Sequence, residues 1–106
     1  MKSWFISFAL FFFSFAHAAC FEEAAQRYQI PVELLKAIST VESNGNAGAI
    51  NTNKNGSVDY GHMQINDWWL PKLEPYGITK DKLVEPCINT NVGALILGSP
   101  RFQCNK

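Results

Sequence analysis

The sequence predicts an α+β domain that is mainly α-helical and contains one small β-hairpin. Segments 21–28 and 31–43 place apolar residues at the i, i+3, i+4, i+7 spacing of amphipathic helices. The pair Asn55-Gly56 lies between segments that can be extended, which is a strong hairpin signal. Segment 89–98 is mostly apolar and predicts a buried helix. The 106 residues contain no repeat and no linker, so we expect one domain.

Local signals predict where the helices begin and end. Pro31 suits the first turn of the second helix, and Asn44-Gly45 ends that helix. Asp67 is a suitable N-cap for a short helix that Gly77 terminates. Thr79 is a suitable N-cap for the helix after it. The predicted domain is therefore a series of short helices around one hairpin.

The first 18 residues predict a cleavable signal peptide. Lys2 gives a basic start, an apolar run covers residues 4–15, and Ala16-His17-Ala18 supplies the small residues that a signal peptidase reads. The apolar run is too short to span a bilayer comfortably, although an uncleaved anchor is the alternative interpretation. We therefore expect a periplasmic protein with no stable membrane insertion after cleavage, and a folded domain over residues 19–106.

Charge and cysteine spacing argue against several kinds of site and partner. The formal net charge is +0 and there is no basic run, which argues against a nucleic-acid partner. The 3 cysteines fit no zinc site, and their odd number leaves one unpaired or bonded to another chain. Asn51, Asn53 and Asn55 are spaced like calcium ligands, but His62 stands where an EF-hand needs a glutamate. We expect neither a metal nor a cofactor.

Glu42 has a position that the helix pattern does not explain. It follows Ile38 by four residues and Leu35 by seven, so it lies on the apolar side of the second helix, at its C-terminal end. Loss of water and the helix dipole both favour the neutral, protonated form of a carboxylate. A carboxyl group that stays protonated can act as a general acid. The alternative is a surface glutamate at a frayed helix end.

Several motifs, in order, resemble the lytic transglycosylase family. They are "ES" at 42–43, "AIN" at 49–51, "NGSVDYGHMQIN" at 55–66 and "PCINTNVGALIL" at 86–97. The resemblance is to small exported members associated with secretion and conjugation machineries, and it covers about residues 20–97. It implies a goose-type lysozyme-like fold.

The resemblance also assigns roles to individual residues. It implies that Glu42 is the catalytic acid/base and that Cys20 pairs with Cys87, which leaves Cys104 over. The residues expected to contact the sugar surround that glutamate: Ser43, Asn51, Tyr60, Met63 and Gln64. Tyr60 is expected to stack on sugars, with core packing as the alternative.

The implied substrate is the glycan strand of peptidoglycan, cleaved at the β-1,4 bond between MurNAc and GlcNAc. In this family the muramic acid's own 6-hydroxyl attacks, which leaves 1,6-anhydromuramyl ends and requires no second carboxylate. We therefore interpret the two nearby aspartates as structural, with Asp59 in the hairpin and Asp67 as an N-cap. The implied partner is a secretion or conjugation apparatus, for which the wall is opened locally. A non-catalytic peptidoglycan-binding protein and a hydrolytic lysozyme are the alternatives.

Two features depart from the family pattern. His62 stands where the family usually has leucine, and we interpret it as a tolerated loop residue, with a second catalyst as the alternative. The tail 98–106 is divergent and lacks the family's tyrosine-bearing segment that closes the cleft. The sequence therefore predicts a C-terminally truncated domain with weak or undetectable cleavage. We also expect an exposed apolar stripe at Val92, Leu95 and Ile96.

Overall fold

The structure is a computed structural model that describes residues 18–98. The predicted signal peptide lies outside the described residues except for Ala18, and so do Cys104 and the tail from residue 99. Along the chain the helices and strands are α1 (Phe21–Tyr28), α2 (Val32–Ser43), β1 (Ile50–Thr52), β2 (Val58–Tyr60), β3 (Ile65–Asn66), α3 (Leu70–Leu73), α4 (Lys80–Leu83) and α5 (Pro86–Gly98). Two 3-10 turns, Asp67–Trp69 and Glu74–Tyr76, flank α3.

Helices α1 and α2 end where the backbone turns into the left-handed region. Gln29 (φ 57°) closes α1, and its backbone N–H donates to the carbonyl of Ala25. Asn44 (φ 56°) closes α2, and its N–H donates to the carbonyl of Ser39. The N–H of Gly45 donates to the same carbonyl at 3.1 Å, which satisfies the last turn of the helix. The prediction that Asn44-Gly45 ends the second helix is confirmed.

The three strands form one antiparallel sheet in the order β1-β2-β3. The register sets Ile50 opposite Tyr60, and Gly56 (φ 90°) lies in the turn between β1 and β2. The predicted hairpin and the mainly α-helical α+β class are confirmed. Strand β3 was not predicted, because two residues are too short to show the alternation of a strand.

The core lies between α1, α2 and α5, where α1 packs against both other helices. Leu35 of α2 and Leu83 of α4 are both 0% exposed, and burying a leucine contributes roughly 1.5–3 kcal/mol. The buried apolar residues are Ala19, Phe21, Ala24, Ala25, Leu35, Met63, Ile65, Leu73, Leu83, Val92 and Ala94. The segment around Met63 thus shares one core with the long helices.

A disulfide joins the segment before α1 to the first turn of α5. It links Cys20 to Cys87, the pairing that the resemblance implies, and spans 67 residues of sequence. In the chain-entropy account, closing a loop of that length stabilises the fold by about 4 kcal/mol. A hydrogen bond of 2.7 Å from Arg27 to Asn91 joins α1 to α5 a second time.

Two predicted helix starts differ from the structure, one by a single residue and the other by three. Asn66, and not Asp67, is the N-cap, because its side-chain oxygen accepts from the backbone N–H of Trp68. Helix α5 begins at Pro86 and not at Asn89, since a proline lacks the N–H that the first turn leaves unpaired anyway. Thr79 is the N-cap residue of α4, although its side chain makes no capping hydrogen bond.

The expected exposed stripe on the last helix is only partly present. Val92 is 3% exposed, so its expected exposure is wrong: it faces the core that α1 shares with α5. Leu95 is exposed and Ile96 is half-buried. Among the helices of residues 18–98, none has the length and apolar character needed to cross a bilayer.

Candidate functional site

Glu42 lies in the last turn of α2, with its side chain exposed to solvent. The expectation that this carboxylate is partly desolvated is therefore wrong for the described residues. Leu35 and Ser39 mark the buried side of α2, whereas no residue of its last turn is fully buried. Val41 is accordingly 81% exposed, and Ser43 is half-buried.

Ser43, the neighbour of Glu42, joins the end of α2 to two later parts of the chain. Its hydroxyl donates to the carbonyl of His62 at 2.8 Å and accepts from the backbone N–H of Asn46 at 3.0 Å. The first of these bonds ties the end of α2 to residues 61–64, which we call the site loop. The hydroxyl predicted to contact the sugar thus also holds the helix that carries Glu42 against the site loop.

The site loop has an unusual backbone that one buried side chain stabilises. Gly61 (φ 79°) and Gln64 (φ 54°) both lie in the left-handed region. A Cβ at Gly61 would overlap the amide of Asn89, so only glycine fits there. Asn89 is 0% exposed. Its Oδ1 accepts from the N–H of Met63 at 2.8 Å, and its Nδ2 donates to the carbonyl of Tyr60 at 2.9 Å.

Asn51 and Gln64, both predicted to contact the sugar, bind each other. The Nδ2 of Asn51 donates to the Oε1 of Gln64 at 2.8 Å, which joins β1 to the site loop. The Nε2 of Gln64 donates to the carbonyl of Gly61 at 2.9 Å. Asn51 is exposed and Gln64 is half-buried, so this amide pair lies at the surface in a fixed orientation.

Met63 is 5% exposed and packs against α5, where a Cβ at Gly93 would overlap its sulfur. Beside it is a groove of about 220 Å³ lined by Ile38, Met63, Gln64, Ile65, Asn66, Trp69, Gly93, Ile96 and Leu97. Ile38 precedes Glu42 by one helical turn, so the two lie on the same side of α2. Glu42 therefore lies on the side of α2 that faces this mostly apolar groove, one turn beyond Ile38, although it is not among the lining residues.

Tyr60 is the predicted sugar-contacting residue that lies apart from the others. Tyr60 pairs with Ile50, and Asn51 pairs with Asp59, so Tyr60 and Asn51 project from opposite faces of the sheet. Tyr60 lines a separate pocket that also includes Lys80 and Val84 of the α4 region. The structure brings together Ser43, Asn51, Met63 and Gln64.

Sequence reasoning missed the role of His62. The interpretation as a tolerated loop residue is wrong, because the side chain is 0% exposed. Its Nδ1 lies 2.7 Å from the hydroxyl of Ser39, and its Nε2 lies 2.8 Å from that of Thr90. Burial lowers the pKa of His62 below its ordinary value, while a hydrogen bond to the Pro86 carbonyl opposes that shift. The family's leucine at this position was the available signal that it is buried.

Both aspartates near the site serve the hairpin. Asp59 accepts hydrogen bonds from the amide groups of Asn66 at 2.8 Å and Asn53 at 3.2 Å. Asp67 accepts from the backbone N–H of Val58 at 3.1 Å. Within residues 18–98 no cluster of three or more side chains could hold a metal ion.

Several curated bacterial proteins are similar to this chain. IpgF of Shigella flexneri is 44% identical over 81 residues, which cover 76% of this chain and 53% of that protein. Invasion protein IagB of Salmonella typhimurium is 43% identical over 83 residues, covering 77% and 52%. A peptidoglycan-binding-like protein of Escherichia coli O157:H7 is 41% identical over 99 residues, covering 86% and 59%.

The chain thus spans a little more than half the length of these relatives. Residues 19–106 match the transglycosylase SLT domain, whose fold is lysozyme-like. That match covers most of the sequence and includes both the Glu42 helix and the site loop. The protein therefore belongs to the transglycosylase SLT domain family.

Proposed function

We propose that this protein is a peptidoglycan lytic transglycosylase in which Glu42 is the catalytic acid/base. The observation that supports this most directly is the position of Glu42, an exposed carboxylate one helical turn after Ile38, which lines the same groove as Met63 and Gln64. The family match covers both elements of this arrangement, the end of α2 and the site loop.

Glu42 acts twice in the proposed reaction. It first donates its proton to the glycosidic oxygen while the C1–O bond between MurNAc and GlcNAc breaks. The resulting carboxylate then removes the proton of the muramic acid 6-hydroxyl, whose oxygen bonds to C1. The products are a 1,6-anhydromuramyl end and a free GlcNAc hydroxyl, and no water is consumed.

This reaction needs a single carboxylate, which agrees with the hydrogen bonds of the aspartates. Asp59 and Asp67 are engaged within the hairpin, whereas glycosidases that use water or an enzyme nucleophile generally need two carboxyl groups. An exposed Glu42 can also reach a polymeric substrate.

The amide pair Asn51–Gln64 supplies hydrogen-bonding groups for the sugar beside Glu42. Met63 forms the apolar wall of the groove. Ser43 contributes by fixing the distance between α2 and the site loop. We place the protein in the periplasm, where it opens the wall locally for a secretion or conjugation apparatus, as the resemblance to small exported family members implies.

A second candidate function is peptidoglycan binding without cleavage, in keeping with the relative named as peptidoglycan-binding-like. Digestion of purified sacculi with product analysis by mass spectrometry separates the candidates. Anhydromuramyl ends support the transglycosylase, and reducing ends without anhydro products indicate a hydrolase. Sacculi that bind the protein but yield no trace of anhydromuramyl product after prolonged digestion indicate a binder and contradict the proposal.

A further inference from the structure

His62 connects three parts of the site. Its ring lies between Ser39 of α2 and Thr90 of α5, and its backbone carbonyl accepts from Ser43 at 2.8 Å. The ring lies nearly perpendicular to that of Phe21 of α1, with centroids 5.6 Å apart. One residue thus holds the site loop against the helix that carries Glu42 and against the helix on the opposite side.

The hydrogen bonds around the ring require one neutral form. The hydroxyl of Thr90 donates to the carbonyl of Pro86 at 2.9 Å, so it accepts from Nε2–H of His62. In a neutral ring Nδ1 then carries no hydrogen, and it accepts from the hydroxyl of Ser39 at 2.7 Å. A second proton on Nδ1 would meet that hydroxyl hydrogen directly, so the Ser39 bond has to rearrange.

The surroundings do not favour a charged ring. His62 is 0% exposed, and burial removes the water that would stabilise a charged ring. Helix α5 carries no charged residue between Pro86 and Gly98, and its Cys87 is in the disulfide. The titratable residues of the packed helices α1 and α2, with Glu85 before α5, lie at the surface as exposed or half-buried side chains: Glu22, Glu23, Arg27, Tyr28, Glu33, Lys36, Glu42 and Glu85.

We propose that His62 is a pH-dependent positioning residue for the glycan site, whose neutral ring fixes the site loop and whose protonation loosens it and weakens glycan binding. The effect on binding rests on the proposed function, whereas the response of the loop does not. A looser site loop would move the side chains proposed to contact the sugar, because Met63 and Gln64 directly follow His62 in that loop.

The direction of the pH effect follows from burial. Because burial lowers the pKa of His62, the unfolded chain binds more protons than the folded chain as the pH falls below about 6.5. Stability is therefore full above that pH and decreases as the pH falls toward the folded pKa. Loosening of the site loop follows the same titration.

The test uses the full chain carrying His17→Gln, in which His62 is the single histidine, since the sequence has 2. Nitrogen NMR of the imidazole at pH 7.5 should show the Nε2–H form, with a titration midpoint below about 6.5. The side-chain amide signals of Gln64 and Asn51 should shift with the same midpoint. A midpoint at or above that of a free histidine would overturn the proposal. Amide signals of Gln64 and Asn51 that do not shift as His62 titrates would also overturn it.

Variants separate positioning from general stability. Ser39→Ala removes the donor to Nδ1 and should raise the midpoint, whereas the neighbouring exposed Thr40→Ala should leave it unchanged. In a Glu42→Gln background, affinity for a soluble GlcNAc oligosaccharide should fall about tenfold on protonation, or ~1.4 kcal/mol. With His62→Leu added, affinity should stay constant with pH, and a retained pH dependence contradicts the proposal. If no sugar binds at any pH, the proposed function fails, while the amide signals still decide the role of His62.

Discussion

The side-chain oxygen of Asn89 accepts the backbone N–H of Met63 at 2.8 Å, which anchors the site loop to a fully buried residue of α5. The same amide donates to the carbonyl of Leu83 at 2.8 Å. One side chain therefore provides hydrogen-bond partners for backbone groups of the site loop, β2 and the end of α4. The proposed sugar contacts depend on this residue, although it lies away from the surface.

Replacing Asn89 with alanine should destabilise the protein by about 4 kcal/mol, because it leaves buried backbone groups without partners. Asn91→Ala is the matched control on the same helix. It loses an exposed hydrogen bond from Arg27 and a partly buried one to the Cys87 carbonyl, and should cost about 1 kcal/mol. Urea unfolding of both variants checks the difference. Equal losses would show that Asn89 has no special role in supporting the loop.

Gly61→Ala should cost about 3 kcal/mol, since it combines a left-handed backbone with overlap of the Asn89 amide. Gly56→Ala has the same backbone problem at φ 90°, but its Cβ would meet open space. That control should therefore cost only about 1 kcal/mol. The difference in thermal stability between the two variants measures the cost of the overlap with Asn89. A Gly61→Ala protein as stable as the Gly56→Ala protein would show that the overlap has no cost.

Loss of the Cys20–Cys87 disulfide should lower the free energy of unfolding by about 4 kcal/mol. Cys20→Ser should therefore match the reduced unmodified protein in urea unfolding. Cys104 should react with a thiol reagent in the oxidised protein, and Cys104→Ser should not change stability. Peptide mapping that finds Cys104 bridged to Cys20 or Cys87 would contradict this assignment.

Thermal stability should decrease as the pH falls below about 6.5, because burial lowers the pKa of His62 and the unfolded chain takes up the proton more readily. His62→Leu should remove most of this decrease between pH 6.5 and the folded pKa. Differential scanning calorimetry of both proteins at a series of pH values measures this loss of thermal stability. If the leucine variant loses stability as steeply as the unmodified protein, other groups are responsible.

The sequence predicted those parts of the fold that depend on local signals. The amphipathic stripes gave α1 and α2, Asn44-Gly45 gave the end of α2, and Asn55-Gly56 gave the hairpin. These features depend on helix periodicity and on residues that tolerate a positive φ, both of which are visible within a few residues.

Features that depend on contacts distant in sequence were not predictable in the same way. Helical spacing places Glu42 on the apolar side of α2, but exposure depends on which element packs over the last turn. The burial of His62 depends on Ser39 and Thr90, which lie 23 and 28 residues away in sequence. Strand β3 exists because β2 pairs with it, and its own two residues carry no pattern.

The most direct test of the central claim replaces Glu42 with glutamine and measures the release of anhydromuramyl products from sacculi. Glu33→Gln, an exposed glutamate in the first turn of the same helix, is the control. Both variants should keep the stability of the unmodified protein, because both side chains are exposed. Since weak cleavage is expected, the digestion should run until the unmodified protein has released detectable anhydromuramyl products. Over that time Glu42→Gln should release none, while Glu33→Gln should release as much as the unmodified protein. Release of anhydromuramyl products by Glu42→Gln at the unmodified rate would contradict the assignment of Glu42 as the acid/base.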